Sequence, residues 1–188
     1  ALLNNSTFDK YFDFRYGWVG QSFVAIDAQF NEINFQSLSV LDHILLNRTK
    51  FAGKADFLYV ETGGQFEAKE SEFSGPVYFN DMTVGKSFLI DRAVFSDEIQ
   101  IVRASAIRFS ALETFFPKDE DKVEVYSLGY DESHFKDSET GDGLLAFLDK
   151  SEFNGNDYKK LEDYYRSRGY PSYADYIYVQ YKLRETKE

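Results

Sequence analysis

Phenylalanine recurs at Phe8, Phe30, Phe51, Phe73 and Phe95, in steps of 22, 21, 22 and 22 residues. A fixed period of this length constrains the fold more than any other feature, because it implies one supersecondary unit stacked on copies of itself. Six residues after each of these, five in the shorter second coil, come Phe14, Phe35, Phe57, Phe79 and Ile101. Two positions before those stand Phe12, Ile33, Ala55, Val77 and Ile99. Such two-residue alternation marks a strand with one buried face.

Two further columns follow. Val19, Val40, Thr62, Val84 and Ala106 form one, and Ala25, Leu46, Ala68 and Ile90 the other, each preceded two residues earlier by a further inward residue. In the fifth coil the fourth column is lost near Phe109 to Ala111. Small residues, Ala28, Thr49, Ser71 and Ala93, precede the next phenylalanine by two. Each coil therefore has four inward pairs, spaced 6, 5, 6 and 5. An amphipathic helix needs apolar residues three and four apart, which this pattern does not supply. The expectation is an all-β fold: a right-handed parallel β-helix of about five four-sided coils over residues 1–116, with the phenylalanines stacked in its core.

The triplets Ala28-Gln29-Phe30, Thr49-Lys50-Phe51, Ser71-Glu72-Phe73 and Ala93-Val94-Phe95 resemble the motif of pentapeptide-repeat proteins. The resemblance spans roughly Phe8 to Phe116 and implies a four-sided right-handed β-helix. A strict five-residue unit gives 20 residues per coil, so two sides of this one carry an extra residue and its corners differ from the family's regular turns.

Beyond the repeat, residues 117–143 read as an acidic linker or cap with one strand at Val123 to Leu128. Residues 118–142 hold nine Asp or Glu against three Lys. Residues 144–188 read as a C-terminal helical hairpin, beginning with a short apolar helix or turn at Leu144 to Asp149. Asn156 can cap a helix running to about Arg168 and ended by Gly169, with Tyr158, Leu161 and Tyr165 on one face. After Pro171, Ser172 and Asp175 have the spacing of a capping box, and Ala174, Ile177, Tyr178 and Tyr181 form the next face. The hairpin would cover the open end of the solenoid, whose last coil otherwise exposes apolar side chains and strand edges. The series Tyr158, Leu161, Glu162, Gly169, Ala174 and Tyr178 also resembles the helical pair that ends some pentapeptide-type chains, where it joins another domain or a partner. That resemblance and the crowding of tyrosines in the tail single out Tyr164 and Tyr178 as contact residues, and the tail as a route to a homodimer.

Charge and composition narrow the function classes. The net charge of −11 argues against a nucleic-acid partner, because backbone binding requires clustered Lys and Arg. There are no cysteines, and His43 and His134 each stand without a second ligand at metal spacing, so no metal or other cofactor is expected. Gly63-Gly64 and Gly141-Asp142-Gly143 lack the lysine of a phosphate loop and read as turns. The outward column Asp13, Asn34, Asp56, Tyr78 and Gln100 is the nearest approach to an acidic catalytic or metal face, and reads better as a solvated strand face. No apolar run is long enough to cross a membrane. A start at Ala1 points to processing or to a fragment, leaving a soluble bacterial protein of cytoplasmic or exported location.

Three outward aromatics, Tyr16, Trp18 and Tyr59, remain on coils one and three as candidate contacts for a glycan or a protein, unless Ala1 to Thr7 fold over them. The leading expectation is a non-enzymatic scaffold or interaction domain whose partner is another protein or a fused domain. A carbohydrate-binding or carbohydrate-degrading β-helix is the alternative. An acidic DNA mimic is the second alternative, weakened because residues 1–116 carry 15 acidic against 10 basic side chains and Lys69, Lys86, Arg92, Arg103 and Arg108 interrupt any anionic face.

Overall fold

The computed structural model describes residues 1–117, 119–134, 148 and 155–187. Because the inward pairs come every five or six residues, the chain turns that often and most strands are only two residues long, as at Phe23–Val24, Ile44–Leu45 and Phe66–Glu67. Each lies parallel on its equivalent in the next coil, Phe23 on Ile44 and Ile44 on Phe66. Among the described residues the ladders form two nine-stranded parallel sheets. One carries the first and second sides of the coil and the other the third and fourth, so the protein is a β-solenoid with a coil length of about 22 residues.

The core is the set of columns read from the sequence. Phe8, Phe30, Phe51, Phe73 and Phe95 stack with nearly parallel rings at centroid spacings of 4.8, 5.7, 4.6 and 4.9 Å. Phe35, Phe57 and Phe79 make a second ladder and Phe66, Phe88 and Phe109 a third, meeting the second edge to face. The small-residue column is buried and hydroxyl-satisfied: Thr49 donates to the Ala25 carbonyl at 2.5 Å and Ser71 to the Leu46 carbonyl at 2.6 Å. Burying those hydroxyls unpaired would cost about 1–3 kcal/mol each.

The 6, 5, 6, 5 spacing has a backbone cause. At each five-residue corner one residue adopts a left-handed conformation. Asn5, Asp27, Arg48, Glu70, Arg92 and Glu113 form one such ladder, and Tyr16, Ser37, Tyr59, Asp81, Arg103 and Ser127 the other, all with φ between 51 and 59°. The six-residue corners instead carry the extra residue. There Gly53, Gly63, Gly75 and Gly85 sit where coils touch: a Cβ on Gly85 would lie 2.5 Å from the Gly63 carbonyl oxygen, and one on Gly63 2.3 Å from that of Leu41.

Two expectations about the coils need correction. The fourth column is not lost in the fifth coil. Phe109 and Ala111 are fully buried, and Phe109 lies on Phe88, with the ladder slipping between Val84 and Ser87 because that corner is one residue shorter. Nor do the coils stop at Phe116. Phe116 stacks on Phe95 at 5.8 Å, Val123–Tyr126 pairs with Ile99–Val102, and Gly129–His134 pairs with Ser105–Ser110. The acidic stretch thus supplies two strands of a sixth level, with a single-turn 3-10 helix at Glu120–Lys122 inserted at one corner.

Two helices close this end, α1 at Gly155–Ser167 and α2 at Pro171–Glu185, reversing at Gly169 (φ 82°). Tyr158, Leu161 and Tyr165 of α1 and Ala174 and Ile177 of α2 are buried in the same core. α2 starts two residues earlier than expected, with Pro171 in its first turn. Tyr170 is the cap residue and no side chain caps it. Asp175 accepts from Arg166 at 2.9 Å, and the capping box does not form. Tyr178 faces solvent and is not part of the buried face. Of the expected helix at Leu144 to Asp149 only Leu148, which is buried, falls within the described residues.

Candidate binding surfaces

The left-handed corners throw their side chains outward, and adjacent coils pair them. Arg48 grips Asp27 with two bonds of 2.7 and 2.8 Å, Arg103 grips Asp81 with two of 2.7 Å, and Arg92 binds Glu70. The guanidinium hydrogen bonds hold Asp27, Glu70 and Asp81 below the usual carboxylate range. Arg92 therefore pairs across coils and not with its neighbour Asp91, whose carboxylate accepts from Ser110 and from the Leu112 amide. The Asp27, Arg48, Glu70, Arg92, Glu113 ladder alternates in sign, which breaks up the continuous anionic face a DNA mimic needs.

On the second side, the column considered for metal or sugar is occupied by turn chemistry. Asp13, Asn34 and Asp56 each accept the backbone N–H two residues on, at Arg15, Gln36 and Leu58. Asp56 is also paired with Lys54 at 2.8 Å, and the Lys54 ammonium lies 5.0 Å from the Tyr78 ring centre. Short Asx side chains are favoured there because they satisfy a donor that the left-handed corner leaves without a strand partner. Among the described residues no group of three His, Cys, Asp or Glu is placed to hold a metal. His43 is structural: its Nδ1 accepts the Gln65 amide at 2.9 Å.

The third side carries the aromatic candidates. Tyr16 and Tyr59 stand two coils apart on one corner ladder, with Ser37 between them, and Trp18 lies on the adjoining strand. All three are exposed, Trp18 by 72%. The N-terminal residues do not cover them. Ala1 to Asn5 run along the fourth side as a partial coil, with Leu2 bridged to Val24 and the Leu3 amide bonded to the Val24 carbonyl at 2.7 Å. Beside Trp18 a trough of about 480 Å³ runs along the axis, with Ser39, Glu61 and Thr83 in one row and Leu41, Gly63 and Gly85 in the next. A smaller groove of about 330 Å³ on the first side is bridged by the Lys50–Glu72 pair at 3.1 Å.

The hairpin supplies the last surface. Tyr164 is half-buried, edge-on to Tyr165 at 5.2 Å and covered by the Arg168 guanidinium, so it serves the hairpin itself. Opposite the buried face of α2, Tyr176, Val179 and Leu183 are each about half exposed and spaced i, i+3, i+7; Tyr170 and Tyr178 are exposed elsewhere on the hairpin. Nothing in the helical periodicity of the sequence separated this outer stripe from the inner one, because α2 is apolar on both. At the junction with the solenoid, the Lys160 ammonium donates to the Tyr130 carbonyl at 3.4 Å and lies 4.7 Å from its ring centre. Burial, reinforced by the Asp157 charge, pushes the Tyr130 phenol far up, and burial likewise raises the Asp157 carboxyl. No family model, curated protein or solved structure gives a significant match to this chain.

Proposed function

We propose that this protein is a non-enzymatic interaction rod that engages a protein partner through the outer face of α2. The supporting observation is the Tyr176, Val179, Leu183 stripe. A surface helix of a monomer is apolar toward its own core and polar outside, whereas this one offers a second apolar stripe on the far side. Helices with two apolar stripes fit between two packing surfaces, and the exposed tyrosines of the hairpin carry the amphipathic character of interface residues. The stacked aromatic core supports a rigid body behind that contact. The small residue, any residue, phenylalanine triplets favour a degenerate pentapeptide-type ancestry for the coils. The partner envisaged is an apolar protein face, and a second copy of this chain is the first to test.

Light scattering of the parent and of Val179→Glu and Leu183→Glu reads this directly, since both positions are exposed and helix-compatible. The expected result is a concentration-dependent dimer in the parent that both variants reduce to monomer. A parent that stays monomeric, and whose retained proteins from its native host are the same as those of the variants, would refute the proposal.

A further inference from the structure

We infer that the trough on the third side binds a neutral, hydroxyl-rich sugar chain lying along the solenoid axis, with Trp18 as its stacking platform and Glu61 as its charged acceptor. This site is separate from the helical hairpin. The trough exists because of steric need in the coil corner: Gly63 and Gly85 cannot carry a Cβ without striking the carbonyl of the coil before, so beyond Leu41 the floor is bare backbone at these two positions. The row of side chains beside that floor is Ser39, Glu61 and Thr83, one from each successive coil.

Three observations favour a sugar over other occupants. The first is the indole. The Trp18 ring lies over Gly20, its nearest carbons 2.8 and 3.0 Å from where a Cβ there would stand, and is 72% exposed. An exposed aromatic face of this kind stacks on the C–H face of a pyranose, and the buried columns of this solenoid are filled without it. The second is Glu61. The corner carboxylates Asp27, Glu70 and Asp81 are all gripped by arginine, whereas among the described residues Glu61 has no ion-pair partner. Flanked by the hydroxyl groups of Ser39 and Thr83, it offers a charge-assisted acceptor to paired sugar hydroxyls. The third is spacing. Successive coils rise by about 4.8 Å, close to the rise per unit of an extended β-linked glycan, so consecutive sugars would meet consecutive rows. A polyanionic glycan is disfavoured by Glu61 itself and by the net charge of −11.

Trp18 is the chain's single tryptophan, so its emission reports on this site alone. The full chain is titrated with cellohexaose and chitohexaose, and in parallel with oligogalacturonate and with a lysine-containing peptide. The expected result is a saturable emission change and protection from iodide quenching with at least one neutral hexaose. Glu61→Gln is expected to weaken that binding about tenfold, the loss of one charge-assisted hydrogen bond. By calorimetry, Trp18→Ala abolishes the binding and Trp18→Phe retains part of it, with an unchanged far-ultraviolet spectrum as the folding control. Silence with both neutral hexaoses overturns the inference, as does binding confined to the peptide or to oligogalacturonate. Binding that persists undiminished in Trp18→Ala and Glu61→Gln overturns it equally.

Discussion

Phe51→Ala and Phe8→Ala test whether stability here is carried coil by coil. Both residues belong to one stack, but Phe51 lies between Phe30 at 5.7 Å and Phe73 at 4.6 Å and is fully buried, whereas Phe8 has a ring neighbour on one side only in that stack and is only partly buried. Truncating a fully buried phenylalanine costs about 3–5 kcal/mol, of which transfer and the cavity left behind are both parts. Phe51→Ala loses contacts on both sides and should fall in the upper half of that range. Phe8→Ala should cost less, about 2–3 kcal/mol, since its ring is only partly buried and stacks on one side. The two should also differ in kind. In a solenoid each coil contacts only its neighbours, so an end substitution frays one coil while a central one weakens the joint between two blocks. Urea unfolding followed by Trp18 emission reports the first coil, and far-ultraviolet circular dichroism reports all of them. Phe8→Ala is expected to move the fluorescence midpoint below the dichroism midpoint, and Phe51→Ala to lower both. Equal costs for the two variants, or coincident transitions in Phe8→Ala, would refute the nearest-neighbour account.

Other consequences follow from the corners and the cap. Gly85→Ala should destabilise by more than 1 kcal/mol, because the new Cβ meets backbone and not a movable side chain, and thermal unfolding measures it. Ser37→Val at a left-handed corner (φ 58°) should cost about 1–2 kcal/mol, while Ser37→Gly stays near neutral. Arg48→Ala should barely move the thermal midpoint, and should move it less still in high salt, since both members of its pair with Asp27 are well exposed. The Asp157 carboxyl is raised on folding by burial, so its ionisation opposes docking of α1. Its contribution is most favourable below the ordinary carboxylate value and is lost as pH rises through the raised folded value. Protection factors of the α1 amides, which correct for the intrinsic pH dependence of exchange, should therefore rise toward acid pH, and Asp157→Asn should remove that rise.

The inward half of this protein is legible in its sequence, because each inward residue meets its own kind one coil away. Phe30, Phe51 and Phe73 repeat since the space each fills is set by the ring above and the ring below. The same logic failed at the ends, where the period is interrupted. Residues inserted between Phe116 and Val123 hid the sixth level, although Val123 and Val125 continue the column of Ile99 and Ile101. One missing residue before Phe109 likewise disguised a column that is continuous in space. Fixed-period counting misses such slips because a corner absorbs one residue more or less at little cost, whereas the strand register on either side must be kept.

Outward residues obey a different rule, which explains why function was harder to read. The corner ladder alternates charge through Asp27, Arg48, Glu70 and Arg92, and the second-side column holds Asp13, Asn34 and Asp56 at the same turn. These are periodic because the fold uses them: ion pairs relieve like-charge crowding between stacked coils, and Asx side chains satisfy turn amides. Periodicity in an outward column is therefore a sign of structural work. The informative positions are the departures: a lone tryptophan over glycine, a Glu61 with no ion-pair partner among the described residues in a row with Ser39 and Thr83, and a helix apolar on its far side. None of these relieves a conflict within the fold. Their side chains keep apolar area or charge in water that a bound partner would remove, so they are the positions where substitution should alter binding with little change in unfolding free energy.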